Sequence, residues 1–219
     1  MPEALPEPSL DCPLCPRLLA FREAVKSIHP QWHNAPVPSF GPASARLLIV
    51  GLAPGLKGAN RTGRPFTGDY AGELLYSTLL DYGFARGVYE ARPDDSLALG
   101  DAVISNAVRC VPPANKPESR EINTCRQFLI RTIDALPNLR AILPLGRIAH
   151  ESVLRALNQS LSAFPFVHGS EHVVTRIAGP LALFDSYHCS RYNTNTGVLT
   201  ADMFRAVFAR IRAYLDSLA

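Results

Sequence analysis

The sequence predicts an α/β protein, a three-layer sandwich in which a central, mainly parallel sheet of four strands is flanked by helices. Three observations carry this. Four short apolar runs, at 47–50, 102–106, 141–145 and 181–186, have strand length and are separated by long intervals. The segments between and after them repeat their apolar residues every three or four positions, the helical spacing. Polar loops follow the first, second and fourth runs, so alternating strands and helices would gather them at one sheet edge. Right-handed crossovers accommodate each connection. With no composition break and no internal repeat, residues 1–219 read as one domain, with 1–11 as a flexible tail.

In chain order, Cys12-Pro13-Leu14-Cys15 leads into a helix over 16–25. Residues 29–44 carry four prolines around Trp32, His33 and Phe40 and read as an irregular but packed approach to the first strand. That strand opens into a loop bearing Gly51, Gly55, Gly58, Gly63 and Gly68, and then enters a helix with Leu74, Leu75, Thr78 and Leu79 on one face. A polar connection over 83–100 precedes the second strand. A helix over 118–136 follows, with Ile122, Cys125, Phe128, Leu129 and Ile133 as its stripe. The third strand leads through Gly146 to a helix ending near Leu157, and 164–174 reads as irregular or antiparallel. The last helix starts near Thr200 and buries Met203, Phe204, Val207, Phe208, Ile211 and Leu215.

At 219 residues, 47% hydrophobic and 19% charged, the chain has the make-up of a soluble globular protein with a substantial core. It has no apolar run of membrane-spanning length. Its start, MPEALPEPSL, lacks the basic and apolar regions of a secretory signal, so a cytoplasmic location is expected. A net charge of +3 permits a nucleic-acid partner without demanding one.

Three groups of residues point to chemistry. The glycine loop is neither a P-loop nor a dinucleotide fingerprint, because GK[ST] and GxGxxG are both missing. It nevertheless packs Asn60, Arg61, Arg64, Phe66 and Asp69 into ten residues. Arginines and amides suit phosphate, an aromatic suits a base face, and a carboxylate can orient water. Cys12, Cys15, Cys110 and Cys125 supply four soft ligands, appropriate to zinc or an iron–sulfur cluster, between which spacing does not choose. Cys189 stands apart beside His188. The run from His188 to Gly197, with Arg191 and Asn195, follows the fourth strand and reads as a polar surface whose histidine meets a substrate oxygen. His168-Gly169-Ser170-Glu171-His172, two histidines and one carboxylate in a loop, reads as structural rather than metal-binding.

Three motifs in register resemble one family. They are Gly51-Leu52-Ala53-Pro54-Gly55 running on to Gly63-Arg64-Pro65-Phe66-Thr67-Gly68-Asp69, then Val108-Arg109-Cys110 with Pro112-Pro113-Ala114-Asn115-Lys116-Pro117, then His188 to Gly197. With the four cysteines they are similar to the uracil-DNA glycosylase superfamily, in particular its iron–sulfur branch, family 5 or UDGb, over nearly the whole chain. The resemblance implies a monofunctional DNA glycosylase. It would flip uracil, and by the branch's permissiveness hypoxanthine and xanthine, out of double-stranded or single-stranded DNA and hydrolyse the N-glycosidic bond. It also implies a structural [4Fe–4S] cluster on Cys12, Cys15, Cys110 and Cys125.

Most superfamily members have an acidic or amide residue before the first-motif proline. Leu52 and Ala53 stand there in this chain, as in family 5, so no carboxylate at that place can activate water. By similarity Asp69 takes that role, with Asn115 and His188 as its catalytic partners. Gly51, Leu52, Ala53, Phe66 and Asn106 would then form the base pocket, and Asn60, Arg61, Arg191 and Asn195 would meet DNA, the protein acting as a monomer. A strict uracil glycosylase of the sister iron–sulfur branch and a non-catalytic, zinc-containing DNA-binding module are the alternatives.

Overall fold

The computed structural model describes residues 5–176 and 179–218. Its main sheet has five strands rather than the four expected, in the order β4-β1-β5-β7-β6. They are β1 (Leu47–Gly51), β4 (Ala102–Asn106), β5 (Ala141–Pro144), β6 (Glu171–Arg176) and β7 (Gly179–Phe184). The pairs β1–β4, β1–β5 and β5–β7 are parallel, and β6–β7 is antiparallel. The extra strand lies in the stretch that read as irregular or antiparallel. Its alternating exposed and covered residues reflect an edge position, unlike the fully buried runs of β1, β4 and β5. A two-stranded pair, β2 (Ala85–Arg86) and β3 (Ala98–Leu99), interrupts the polar connection.

Strand side chains alternate between faces, so β1 splits its residues between two layers. Leu47 and Ile49 pack with α3 (Tyr70–Asp81) and α7 (Ala201–Asp216) through Leu75, Leu79, Phe204, Val207 and Phe208. Leu48 and Val50 pack on the other face with α4 (Ser119–Asp134) and α5 (Arg147–Ala156) through Leu129, Ile133, Val153 and Leu154. Helix α4 begins with the capping box of Glu118 and Glu121, and α7 with Thr200, whose Oγ1 accepts from the Met203 amide at 3.1 Å. The remaining helices are α1 (Pro16–Ile28), α2 (Ala59–Thr62) and α6 (Arg191–Asn195).

Residues 1–4 of the expected tail lie outside the described residues, and residues 5–11 are not loose. Glu7 accepts the Arg109 Nη1 proton at 2.6 Å and the Ser39 amide at 2.8 Å. A fully buried guanidinium needs a carboxylate, and the tail supplies it. Arg109, in the polar loop after the second strand, is therefore an interior residue. Among the described residues no helix is long and apolar enough to cross a membrane.

Candidate active site

The connection leaving β1 runs over one face through α3, whereas that leaving β4 runs over the other through α4. Adjacent strands with oppositely directed connections open a crevice at their carboxyl ends. A cleft of about 360 Å3 lies there, lined by Leu52, Ala53, Pro54, Gly55, Ala59, Phe66, Asp69, Tyr70, Ala71, Asn106, Asn115, His188, Ser190 and Arg191. Nine of the residues named from the sequence for catalysis, base binding or DNA contact are therefore neighbours around one cavity: Leu52, Ala53, Phe66, Asp69, Asn106, Asn115, His188, Arg191 and, beneath the floor, Gly51.

The floor forms because the β1–β4 ladder continues past both strands, with the Ala107 and Val108 amides donating to the Gly51 and Leu52 carbonyls at 2.9 Å. Gly51 is required for space: a Cβ there would stand 2.4 Å from Asn106 Oδ1 and 2.8 Å from the Phe66 ring. Phe66 is buried, at φ +53°, and its ring stacks on His188 with centroids 5.7 Å apart. It thus links the floor to the histidine wall.

Asp69 caps α3. Its Oδ2 lies against Gly55 and Gly58, where added Cβ atoms would come within 3.1 and 2.4 Å. Its Oδ1 is buried without a hydrogen-bond partner among the described residues. Burial raises the Asp69 pKa above the ordinary carboxylate value, against the Gly72 and Ala71 amides. Burial likewise pushes His188 down to about 4, so at neutral pH it is an uncharged imidazole that donates one N–H. Asn115 projects from a turn in which Ala114 and Asn115 both have positive φ, +53° and +56°. Holding a non-glycine residue in this region costs about 1–3 kcal/mol, which the surrounding loop must supply.

The loop between β1 and α3 is set by a residue that looked like a phosphate ligand. Arg64 is buried and points inward, pairing with both Asp95 oxygens at 2.7 and 2.8 Å and donating to Thr67 Oγ1 at 2.7 Å. Gly72 closes the other side, since a Cβ would stand 1.9 Å from the Phe66 carbonyl and 2.4 Å from Tyr89 Oη. Gly72→Ala is therefore expected to cost about 1–3 kcal/mol in chemical denaturation through overpacking. It should also displace Phe66, seen as slower turnover of the folded variant.

Of the four residues assigned to DNA contact, Arg191 reaches the cleft, with its guanidinium 5.2 Å over the Tyr70 ring. Asn195, on the outside of α6, and Arg61, on α2, are exposed beyond it. Asn60 requires correction. It is fully buried and donates to Asn34 Oδ1 at 3.0 Å, while its carbonyl accepts from the Asn34 amide. It ties the loop to the chain before β1 and meets no phosphate. Pro54, Gly55 and Ser190, which lie within the first and third motifs, also line the cleft, whereas Tyr70 stands outside the motifs. Tyr70 had a signal, as the first helical residue after the carboxylate.

Cys12, Cys15, Cys110 and Cys125 are free thiols sharing an apolar recess with Leu18, Val108 and Phe128. Among the described residues no three metal-ligating side chains are grouped as for one ion. Burial pushes the Cys110 and Cys125 thiols up to about 12 and about 11, so only a bound cation would deprotonate them at neutral pH. The Arg109 amide donates to Cys125 Sγ at 3.3 Å, favouring the anionic sulfur a ligand needs. Cys189 belongs elsewhere: it is fully buried and donates to the Ala71 carbonyl at 3.5 Å, tying the His188 loop to α3.

Comparison with known proteins agrees with this arrangement. The model of the uracil DNA glycosylase superfamily matches residues 38–212. The chain is 43% identical over 211 residues to the type-5 uracil-DNA glycosylase of Thermus thermophilus, covering 94% of each. It is 36% identical over 208 residues to that of Pyrobaculum aerophilum, covering 93% of this chain and 89% of the relative. Similarity to the type-4 uracil-DNA glycosylase of Archaeoglobus fulgidus is 30% over 154 residues, 69% of each chain.

Proposed function

The chain belongs to the uracil DNA glycosylase superfamily and is a DNA glycosylase, a hydrolase of N-glycosidic bonds; from that premise we propose that it excises uracil and other deaminated bases from DNA as a monomer. The observation that carries the reading is Asp69: a buried carboxyl oxygen without a partner among the described residues, in a cleft also lined by a neutral histidine stacked on a phenylalanine.

The target bond is inaccessible in a stacked duplex, so the nucleotide must be extruded into the cleft. Phe66 offers the base a stacking face. As the C1′–N bond breaks, positive charge grows on the sugar and negative charge on the base. Asp69 orients the water that adds to C1′, takes its proton and offsets the sugar's charge, while the His188 N–H and the Asn115 amide stabilise the leaving base. Leu52 and Ala53 contribute no polar side chain to read the base, and Asn106 is the one amide at the floor. A pocket with few hydrogen-bonding demands cannot strongly reject a different base, which supports hypoxanthine and xanthine beside uracil. Single-turnover excision from duplexes carrying each base tests this, and cleavage of uracil alone would return the protein to the stricter branch.

The cysteine recess supports a [4Fe–4S] cluster rather than zinc. Zinc needs all four sulfurs at about 2.3 Å from one point, whereas a cluster spreads its thiolates over separate irons. Val108 and Cys110, which line the recess, precede Asn115 in the chain, so a cluster held by the four cysteines would fix that loop. The purified protein is expected to absorb broadly in the visible, and Cys125→Ser to lose that absorption together with stability. A colourless protein containing zinc would overturn the assignment.

A further inference from the structure

The segment His168 to His172 grips the strand end that delivers His188. Between β7 and His188 lie Asp185, Ser186 and Tyr187, and five hydrogen bonds to neighbouring segments hold their main chain, the longest from the Ser186 amide to the Pro144 carbonyl at 3.4 Å. The Asp185 amide donates to the Ser170 carbonyl at 2.9 Å, and the Gly169 amide to the Asp185 carbonyl at 2.8 Å. The Gly146 amide donates to the Ser186 carbonyl at 2.8 Å. The Tyr187 amide donates to His168 Nδ1 at 3.1 Å. The bond to His168, one residue from His188, is the one among them that depends on a titratable side chain.

The chemistry of this acceptor is restrictive. An imidazole nitrogen accepts only with a free lone pair, so His168 must be neutral with its proton on Nε2. Protonation would set N–H against N–H. The ring is fixed in this pose by stacking on Tyr187, with centroids 5.0 Å apart and planes 19° apart. The neighbouring histidine contact has the opposite demand. His150 Nε2 lies 2.8 Å from the Phe164 carbonyl, an atom that can only accept, and His150 Nδ1 lies 2.6 Å from Asp185 Oδ1. That anchor survives protonation, whereas the His168 anchor does not.

Charged and polar groups face His168 from each packed element. Arg210 of α7 donates to the Gly169 carbonyl at 2.6 Å, and Asp185 stands at the end of β7 with His172 Nε2 3.5 Å from its Oδ2. Burial, with Arg210, holds His168 below the ordinary imidazole value, and the Met203 backbone and Asp185 pull it back.

We propose that His168 is a positioning residue for His188: neutral, its Nδ1 holds the Tyr187 amide and aims the histidine loop into the cleft, and protonated, it releases that loop and slows excision without unfolding the protein. The inference rests on the assignment of His188 to the leaving base.

The test is single-turnover uracil excision across pH for the wild type, His168→Ala, His168→Asn and His188→Ala, with duplex affinity measured alongside. Asparagine places a non-titrating acceptor oxygen where Nδ1 stands. His168→Ala should be slower by about five- to tenfold, the value of one lost hydrogen bond, with affinity unchanged. His168→Asn should restore the rate at neutral pH, and its rate relative to the wild type should rise as the medium is acidified. A constant ratio of His168→Asn to wild type across pH, or a wild-type rate in a folded His168→Ala, overturns the proposal. A wild-type rate in His188→Ala shows instead that the reading of His188 is wrong, and the proposal falls with it.

Discussion

Asp69→Asn is expected to lower single-turnover excision by about a hundred- to a thousandfold, the cost of removing one electrostatic contact aimed at developing charge. Duplex binding should survive. Asparagine has the same shape as aspartate, and the walls formed by Gly55 and Gly58 leave room for nothing larger. What is lost is the negative charge and the base that takes the water's proton. Charge is the relevant property because Asp69 Oδ1 is buried and accepts no hydrogen bond among the described residues, which leaves that oxygen to take the water's proton.

The pH dependence follows with a definite sign. Burial raises the Asp69 pKa, so activity falls on the acid side at a higher pH than a free carboxylate would give. His188, held near 4, stays neutral throughout the working range and adds no alkaline limb. Its burial in the neutral form also makes stability fall as pH drops from its unfolded value toward 4, since the unfolded chain binds that proton more readily. An Asp69→Asn rate within tenfold of wild type would remove Asp69 from the reaction.

Arg64→Met should give the largest loss of stability, about 3–5 kcal/mol in denaturant unfolding, because it strands the buried Asp95 carboxylate. Arg64 also lies over the rings of Phe40, Tyr76 and Tyr89 at 5.2, 5.5 and 5.8 Å, contacts that methionine replaces only in part. The double variant Arg64→Met with Asp95→Leu removes both charges and should recover part of the loss. The paired guanidinium holds Asp95 at about 2, below its unfolded value. This contribution is therefore complete above about pH 4 and is lost as pH falls through 2. In Arg64→Met that portion of the acid dependence should vanish. A loss below about 1 kcal/mol would place the pair in the class of solvent-screened surface bridges.

The motifs in the sequence identify the reaction class and locate the cleft because they sit at strand ends, and parallel strands bring their carboxyl ends together. His188 was legible for that reason, whereas Leu52, Ala53, Asp69 and Asn115 were assigned through the resemblance of the motifs that hold them. The stripe of α4 and the buried runs of β1, β4 and β5 were legible because burial on one or both faces leaves a periodicity. β6 was not, since an edge strand is half exposed and its pattern resembles a loop.

What the tertiary structure alone decided is which polar residues of the rim line the cleft and which face inward. Asn60, Arg64 and Arg109 are the same residue types that bind phosphate, yet each is consumed by an interior partner, namely Asn34, Asp95 and Glu7. Those partners lie 26, 31 and 102 positions away along the chain. No local pattern encodes such pairings; they exist because folding buries a charge or amide and something distant must satisfy it.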